Sequence, residues 1–432
     1  MLRRFLVPLL ALLIMAGALA TGARAATGPC VPGTSSPRCT FWDGRVTSVS
    51  DGDTMRVRLS SGASVIVRVS GINAMELSDY NTRHRAGACH GVEAADRTSA
   101  LVKAAKGRVR LSAIDPTSHS RNRERRSVEL LIGRRWVDLG RTLLAEGLAL
   151  WLPATKEWAW NARYSTVVED AAARRVGLWN ASSCADGPNE GQPIKLWANW
   201  DGDGNDHYLY GPNSEWVRIK NLDPVNPLPL GGWWLRDADL PKQLQRRQYV
   251  FRSDAVVPPG GTMTVQLGAG TNTELTKYWG LDVPLLDNVN RDREAGDGVY
   301  LFDPDGDLRA YMMYPCRVNC GDPNQGALQL AVRTTGSQWV EVRNVSIHPV
   351  GLEDYRLTLE RPNHVYTFAP DTTLQPGETL RIMVERDPDE DEPFLRGWGQ
   401  GTPILPRAGG AIRLSSYRDV VLACVPWGDG SC

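Results

Sequence analysis

Apolar and polar residues alternate along Met55-Arg56-Val57-Arg58-Leu59 and again along Val65-Ile66-Val67-Arg68-Val69, the period of strands with one buried face. Asp51-Gly52-Asp53 makes a turn before the first of these, and Ser61-Gly62 a hairpin between them. Arg45–Val49, Val109–Leu111 and Ser127–Ile132 read as further strands. The period then changes. Residues 91–105 read as a helix with Val92, Ala95, Ala100, Leu101 and Ala104 on one face. Residues 139–146 read as a second helix, stopped by Gly147, and 162–175 as a third, ended near Gly177. Strands followed by helices packed on them predict an α+β domain, a small twisted barrel with helices alongside.

Beyond residue 193 no long helical pattern remains, and alternating strands broken by Pro and Gly turns repeat in the same order. Glu215-Trp216-Val-Arg-Ile-Lys-Asn221 recurs as Gln338-Trp339-Val-Glu-Val-Arg-Asn344. Tyr249-Val-Phe251 before Pro259-Gly260 recurs as Tyr366-Thr-Phe368 before Pro376-Gly377, and Gly298–Phe302 recurs as Ala411–Ser415. Two all-β sandwiches are expected. The predicted organisation is a signal peptide at 1–25, a leader at 26–39, an α+β domain at 40–184, a polar linker at 185–193, and sandwiches at 194–320 and 327–432.

The first 25 residues carry Arg3 and Arg4, an apolar run from Phe5 to Ala20 and Ala23-Arg24-Ala25, the pattern of a cleaved export signal. No later segment is apolar enough to span a membrane, so a secreted or cell-surface location is expected. All 8 cysteines follow that segment, an even number that suits disulfides in an exported chain. Cys30–Cys39, Cys316–Cys320 and Cys424–Cys432 are neighbours, which leaves Cys89–Cys184; sequence alone allows other pairings, and Cys316-x-x-x-Cys320 is also half of a metal-site pattern.

Net charge is zero over 432 residues, but it is divided. Residues 40–184 hold 22 Lys and Arg against 15 Asp and Glu, a net of +7. Residues 185–432 hold 23 against 34, a net of −11. The first block suits a polyanion and the second does not.

Three motifs in the basic block carry chemistry. Asp51-Gly52-Asp53-Thr54 presents carboxylates at a sharp bend, where a hard cation takes oxygen ligands, although such turns are also common hairpin tips. Val67-Arg68-Val-Ser-Gly-Ile-Asn73-Ala74-Met75-Glu76 brings an arginine suited to phosphate, an amide and a carboxylate within one turn. Arg121-Asn-Arg-Glu-Arg125-Arg126 is a charge run before a strand. Elsewhere, Asp201-Gly-Asp-Gly-Asn-Asp206 looks like the start of a calcium loop but lacks the Gly and Glu of an EF-hand, and Arg386–Glu392 reads as a solvated acidic loop. The six His show no zinc spacing; His119 lies beside the basic run.

In this order, with Gly147-Leu148-Ala149 and Gly177-Leu178-Trp179 after them, the three motifs resemble the staphylococcal nuclease family over residues 40–184. The resemblance implies an OB-fold barrel and calcium-dependent hydrolysis of DNA and RNA that leaves 3′-phosphate ends. It implies that Asp53, Asn73 and the Ala74 carbonyl ligate calcium, that Arg68 and Arg126 bind phosphate, and that Glu76 activates water. A slip of one residue would put Arg125 in the place of Arg126. Asn73 stands where the family has an Asp, which lowers the ligand charge, and Met75 where it has a Pro. The repeats resemble the lamin tail domain, an immunoglobulin-like sandwich, through Trp216–Asn221, Gly232-Trp233-Trp234-Leu235, Pro259-Gly260-Gly261 and Asp303-Pro-Asp-Gly306, with Tyr355 near the place of Trp234. That implies attachment to a cell surface or a protein. The competing expectation is a nuclease fold kept for binding, and the presence of Asp53, Arg68, Glu76 and Arg126 together favours the enzyme.

Overall fold

The strand Arg38–Val49 (β1) pairs with both Thr54–Leu59 (β2) and Arg108–Ala113 (β5), and this double pairing closes a barrel. Ser64–Val69 (β3), Ile72–Ala74 (β4) and the helix Gly91–Ala104 (α1) lie between β2 and β5 in sequence. After β5 come Arg123–Ile132 (β6), Arg135–Asp138 (β7), the helix Leu139–Ala145 (α2), Ala149–Trp151 (β8) and the helix Asn161–Ala173 (α3). Around the barrel the order is β1-β2-β3-β6-β5, and β3–β6 is its parallel pair. In this computed structural model the described residues are 26–34, 36–77, 89–185, 190–200, 215–239, 248–318, 320–360, 363–369 and 372–432. The predicted export signal, residues 186–189 of the linker, the Asp201–Asp206 turn, His84 and His207 lie outside them.

The barrel interior is filled by alternate residues, among them Met55 and Val57 of β2, Val67 and Val69 of β3, and Val128 and Leu130 of β6, all essentially buried. Two expectations need correction. The buried face of α1 is Gly91, Ala94, Ala95, Thr98 and Leu101, whereas Val92 is 59% exposed. Gly91 must face inward because a Cβ there would come within 2.5 Å of the Glu76 carbonyl, and this phase turns Val92 outward. The charge run does not precede a strand: β6 begins at Arg123 and includes Glu124, Arg125 and Arg126.

Two sandwiches follow, mostly β in structure and built alike. The first pairs Ile194–Asn199, Trp216–Asn221, Thr262–Gln266 and Thr276–Tyr278 in one sheet. Its other sheet holds Tyr249–Val250, Trp234–Asp237, Asp297–Phe302 and Leu308–Tyr314. The second repeats this order with Leu328–Arg333, Trp339–Asn344, Thr379–Met383 and Leu395–Gly397 against Asn363–Thr367, Arg356–Glu360, Gly409–Ser415 and Val421–Gly428. The repeated Asn has one job in both copies. Asn221 and Asn344 are fully buried, and their amides donate to the carbonyls of Asn226 and His348 at 2.7 Å. Register also moves one correspondence by a residue. Phe251 N donates to Trp233 O as Phe368 N does to Tyr355 O, so Tyr355 stands in the place of Trp233 and not Trp234.

Disulfides join Cys30–Cys39, Cys89–Cys184, Cys316–Cys320 and Cys424–Cys432. Among the described residues no helix is long and apolar enough to cross a membrane. The first sandwich docks on the barrel domain, so Tyr300, Phe302, Leu308, Met313 and Ala238 belong to the same apolar cluster as the barrel interior. Trp179 meets the edge of Tyr311 at 4.8 Å. Asp307 accepts from the amides of Ser183, Cys184 and Ala185 at 2.8, 2.9 and 3.1 Å. Glu169 of α3 accepts from Arg317 N at 2.7 Å and Val318 N at 2.8 Å, which anchors the Cys316–Cys320 loop.

Candidate active site

The turn before β2 is built for close approach. Asp53 N donates to Asp51 Oδ1 at 3.0 Å, and Ser50 N to Thr54 O at 2.9 Å. Gly52 sits against α1, where a Cβ would lie 2.8 Å from that of Ala94, and its carbonyl accepts from Thr98 Oγ1 at 2.7 Å. The helix thereby fixes the turn.

Asp53, held by this turn, is 2% exposed. Its Oδ2 accepts from Ala74 N at 2.7 Å, and its Oδ1 accepts from Thr54 Oγ1 at 3.1 Å and pairs with Arg68 Nη1. Arg68, on β3, also donates through Nη2 to Asn73 Oδ1 at 2.7 Å. Asn73 and Ala74 lie on β4, whose partner is β8. Leu152 N donates to Gly71 O in that ladder. Ala74 therefore falls at a position without ladder bonds, so its C=O and its N–H, which meets Asp53, both face away from β8. Met75 is 2% exposed, so packing secures the turn in the place of a proline.

Glu76 follows β4 and is half-buried. Burial raises its pKa; Arg68 opposes that shift and the Asp51 carboxylate adds to it. Burial and the neighbouring Arg123 together lower the Arg68 guanidinium to about 10. Arg123, on β6, donates from Nη1 to Thr54 Oγ1 at 3.1 Å, so a second guanidinium faces the cluster.

That second guanidinium is not Arg126. Register pairs Arg68 with Arg125 and Val69 with Arg126 across β3–β6. Side chains alternate along a strand, so Arg126 shares the inner face with Val128 while Arg123 and Arg125 share the outer face with Arg68. Arg126 is buried over the Trp42 ring, 4.7 Å from its centroid. It donates to the carbonyls of Pro116, Ser118 and Arg125 and pairs with Glu124. This is a structural role away from the Arg68 cluster. His119 lies beside Glu124, with Nε2 at 3.9 Å from its carboxylate.

The first sandwich contributes residues that the sequence motifs did not single out. Asn73 Nδ2 donates to the carbonyl of Ala238 at 2.7 Å. Arg236 is buried, donates to the carbonyls of Asp237 and Ala238, and lies close enough to Glu76 to act on it electrostatically. Burial lowers the Arg236 pKa to about 10. Arg68 and Asn73 are consequently only 8% and 2% exposed. Arg236 directly follows Gly232-Trp233-Trp234-Leu235, the segment that carries the resemblance of the first repeat, and nothing in that segment marks the arginine as facing the barrel domain.

No curated protein matches the chain. A family model, the Lamin Tail Domain, matches residues 199–315, so the first sandwich is similar to that domain.

Proposed function

We propose that residues 40–184 form a calcium-dependent phosphodiesterase acting on DNA and RNA, carried on an exported chain whose two sandwiches serve attachment. The observation that carries this is the meeting of Asp53, Arg68, Asn73 and Ala74, from one turn and two strands, in a single buried cluster, with the half-buried Glu76 close enough to feel the Arg68 charge. The barrel order, with one parallel pair, supports an OB-fold of the staphylococcal nuclease kind. Four disulfides support an oxidising location outside the cell.

Calcium fits the donor set, because the carboxylate of Asp53 and the amide oxygen of Asn73 converge on one positive charge, Arg68. Asp53, Asn73 and the Ala74 carbonyl would hold it, and it would supply Lewis-acid polarisation of a phosphate oxygen. Arg68 holds the Asp53 and Asn73 oxygens that would ligate calcium, and a substrate phosphate would offer its guanidinium another partner. Arg68 and Arg123 then stabilise charge on the phosphorus oxygens. Glu76, its pKa raised by burial, takes the proton of the attacking water. The water oxygen bonds to phosphorus, the bond to the 5′-oxygen breaks, and that oxygen leaves as a hydroxyl after taking a proton from solvent, which leaves a 3′-phosphate end.

Among the described residues the first sandwich packs over this cluster through Ala238 and leaves Arg68 8% exposed, so opening of that contact would give a phosphodiester access. The same observation favours a second reading, a nuclease fold that binds without cutting. Hydrolysis of single-stranded DNA by the oxidised chain, with calcium, with excess chelator, and by Glu76→Gln, tests the choice. Cutting that needs calcium and Glu76 supports the enzyme. A folded chain that never cuts, even after the interface is loosened by Asp307→Ala, overturns it in favour of the binding module.

A further inference from the structure

We propose that the outer face of β2, β1 and β5 is a second site, which binds single-stranded nucleic acid. Arg45 stands directly opposite Arg58 on one side and Arg108 on the other. Three exposed arginines thus form one line across three strands. Neighbouring strands lie about 4.8 Å apart, and like charges directly opposite one another destabilise a sheet. In the adjacent line Asp43, Arg110 and Glu129 alternate in sign across β1, β5 and β6, and Asp138, opposite Glu129, accepts from Arg141 N and the Tyr164 hydroxyl. Asp43 and Arg110 are ion-paired there at 3.3 Å. In the arginine line Arg45 donates to the carbonyl of Lys106 at 2.9 Å, and none of the three is in an ion pair among the described residues. A repulsive row kept on an open surface points to an anionic ligand with regularly spaced charges.

The line ends in an aromatic. Val109 is opposite Leu130, so Arg108 leads to Leu131, and Leu131 is opposite Trp136. The three arginines, Leu131 and Trp136 line one open concavity of about 510 Å³, together with Asp43, whose charge Arg110 offsets. Trp136 is half-buried, with the Arg110 guanidinium 4.2 Å from its ring centroid. Exposed Arg134 and Arg135 precede it in the turn and at the start of β7. A charged row with a stacking platform at its end is how proteins hold single strands, whose bases are free to stack. A duplex offers the phosphates but keeps its bases stacked inside. Exposed Arg56 lies between Arg58 and Thr54 on β2, so the row stands about 13 Å along that strand from the Arg68 cluster.

The test is anisotropy of a labelled oligothymidylate with the full chain in excess chelator, across a salt series. Unmodified protein should bind, with affinity falling as salt rises. Arg45→Ser with Arg58→Ser should weaken binding about tenfold or more and lower the salt slope by roughly 1.4, two single-strand phosphates. Trp136→Ala should weaken binding about fivefold or more. The arginine variant should melt no lower than the parent, because repulsion is relieved. Equal affinity of variant and parent overturns the site, and equal binding of a duplex of the same length overturns its single-strand preference. The inference stands apart from catalysis. Binding that the variants weaken, by a chain that never cuts, supports this site and sinks the hydrolytic reading, whereas cutting with no loss of binding in the variants sinks this site alone.

Discussion

Asn73 donates its side-chain amide to the backbone carbonyl of Ala238, 165 residues further along the chain, at 2.7 Å. The amide oxygen of the same residue accepts from Arg68. One side chain therefore belongs both to the candidate metal site and to the contact that covers it.

Asn73→Asp should act on both. It adds a carboxylate to the ligand set and removes the donor to Ala238. Calcium affinity measured by calorimetry should rise, on the order of tenfold, and amide exchange in residues 71–76 should quicken. Unchanged exchange would mean that Ala238 does not hold the cover.

Asp307→Ala removes the acceptor shared by three amides at the end of the barrel domain. The docking should weaken by on the order of 2–3 kcal/mol. Hydrolysis per molecule should then increase while keeping its need for calcium and Glu76. Lower hydrolysis by a folded variant would show that the docked sandwich assists the site.

Glu76→Gln should lower kcat by roughly 10²–10⁴-fold if the carboxylate is the general base, with no loss of Tm at neutral pH, because the ionised carboxylate is disfavoured by its burial. The Glu76 pKa is raised above 4.5, so hydrolysis should fall with decreasing pH earlier than for an ordinary glutamate. The Asp51 carboxylate contributes to that shift; Asp51→Asn should move the acid limb to lower pH. An acid limb that does not move would remove Asp51 from the electrostatics of the base.

Arg123 and Arg126 should separate cleanly. Arg126→Ala leaves three backbone carbonyls and Glu124 without their partner, and should destabilise the domain by roughly 2–4 kcal/mol in a melting experiment. The fraction that remains folded should keep its kcat. Arg123→Ala should melt normally and lose hydrolysis. The reverse result would return the catalytic role to Arg126.

These two arginines also show what a sequence can convey. Arg123, Arg125 and Arg126 occur in one charged run, and nothing in the run tells whether it is loop or strand, or which members face outward. The phase comes from pairing with β3, which only the fold provides. Val92 is a similar case, turned outward because Gly91 must meet the Glu76 carbonyl. The Asp51–Asp53 turn, Arg68 and Asn73–Glu76 were legible because they sit within 26 residues on elements with a clear period. The repeated Trp-Val-x-x-x-Asn was legible because Asn221 and Asn344 perform the same buried bridging in both sandwiches. The cover was not, since a carbonyl such as that of Ala238 has no signature of its own.

The separation of 165 residues between Asn73 and Ala238 also sets an order in time. Side-chain contacts within the barrel, such as Arg110 with Asp43 and Arg123 with Thr54, span 67 and 69 residues. Contacts of greater separation close later as a chain folds. A chain diluted out of denaturant is therefore expected to complete its barrel before the sandwich docks, with an interval in which the Asp53–Arg68 cluster is open to a polyanion; protection of residues 71–76 in pulsed amide exchange that appears together with the barrel would contradict that order.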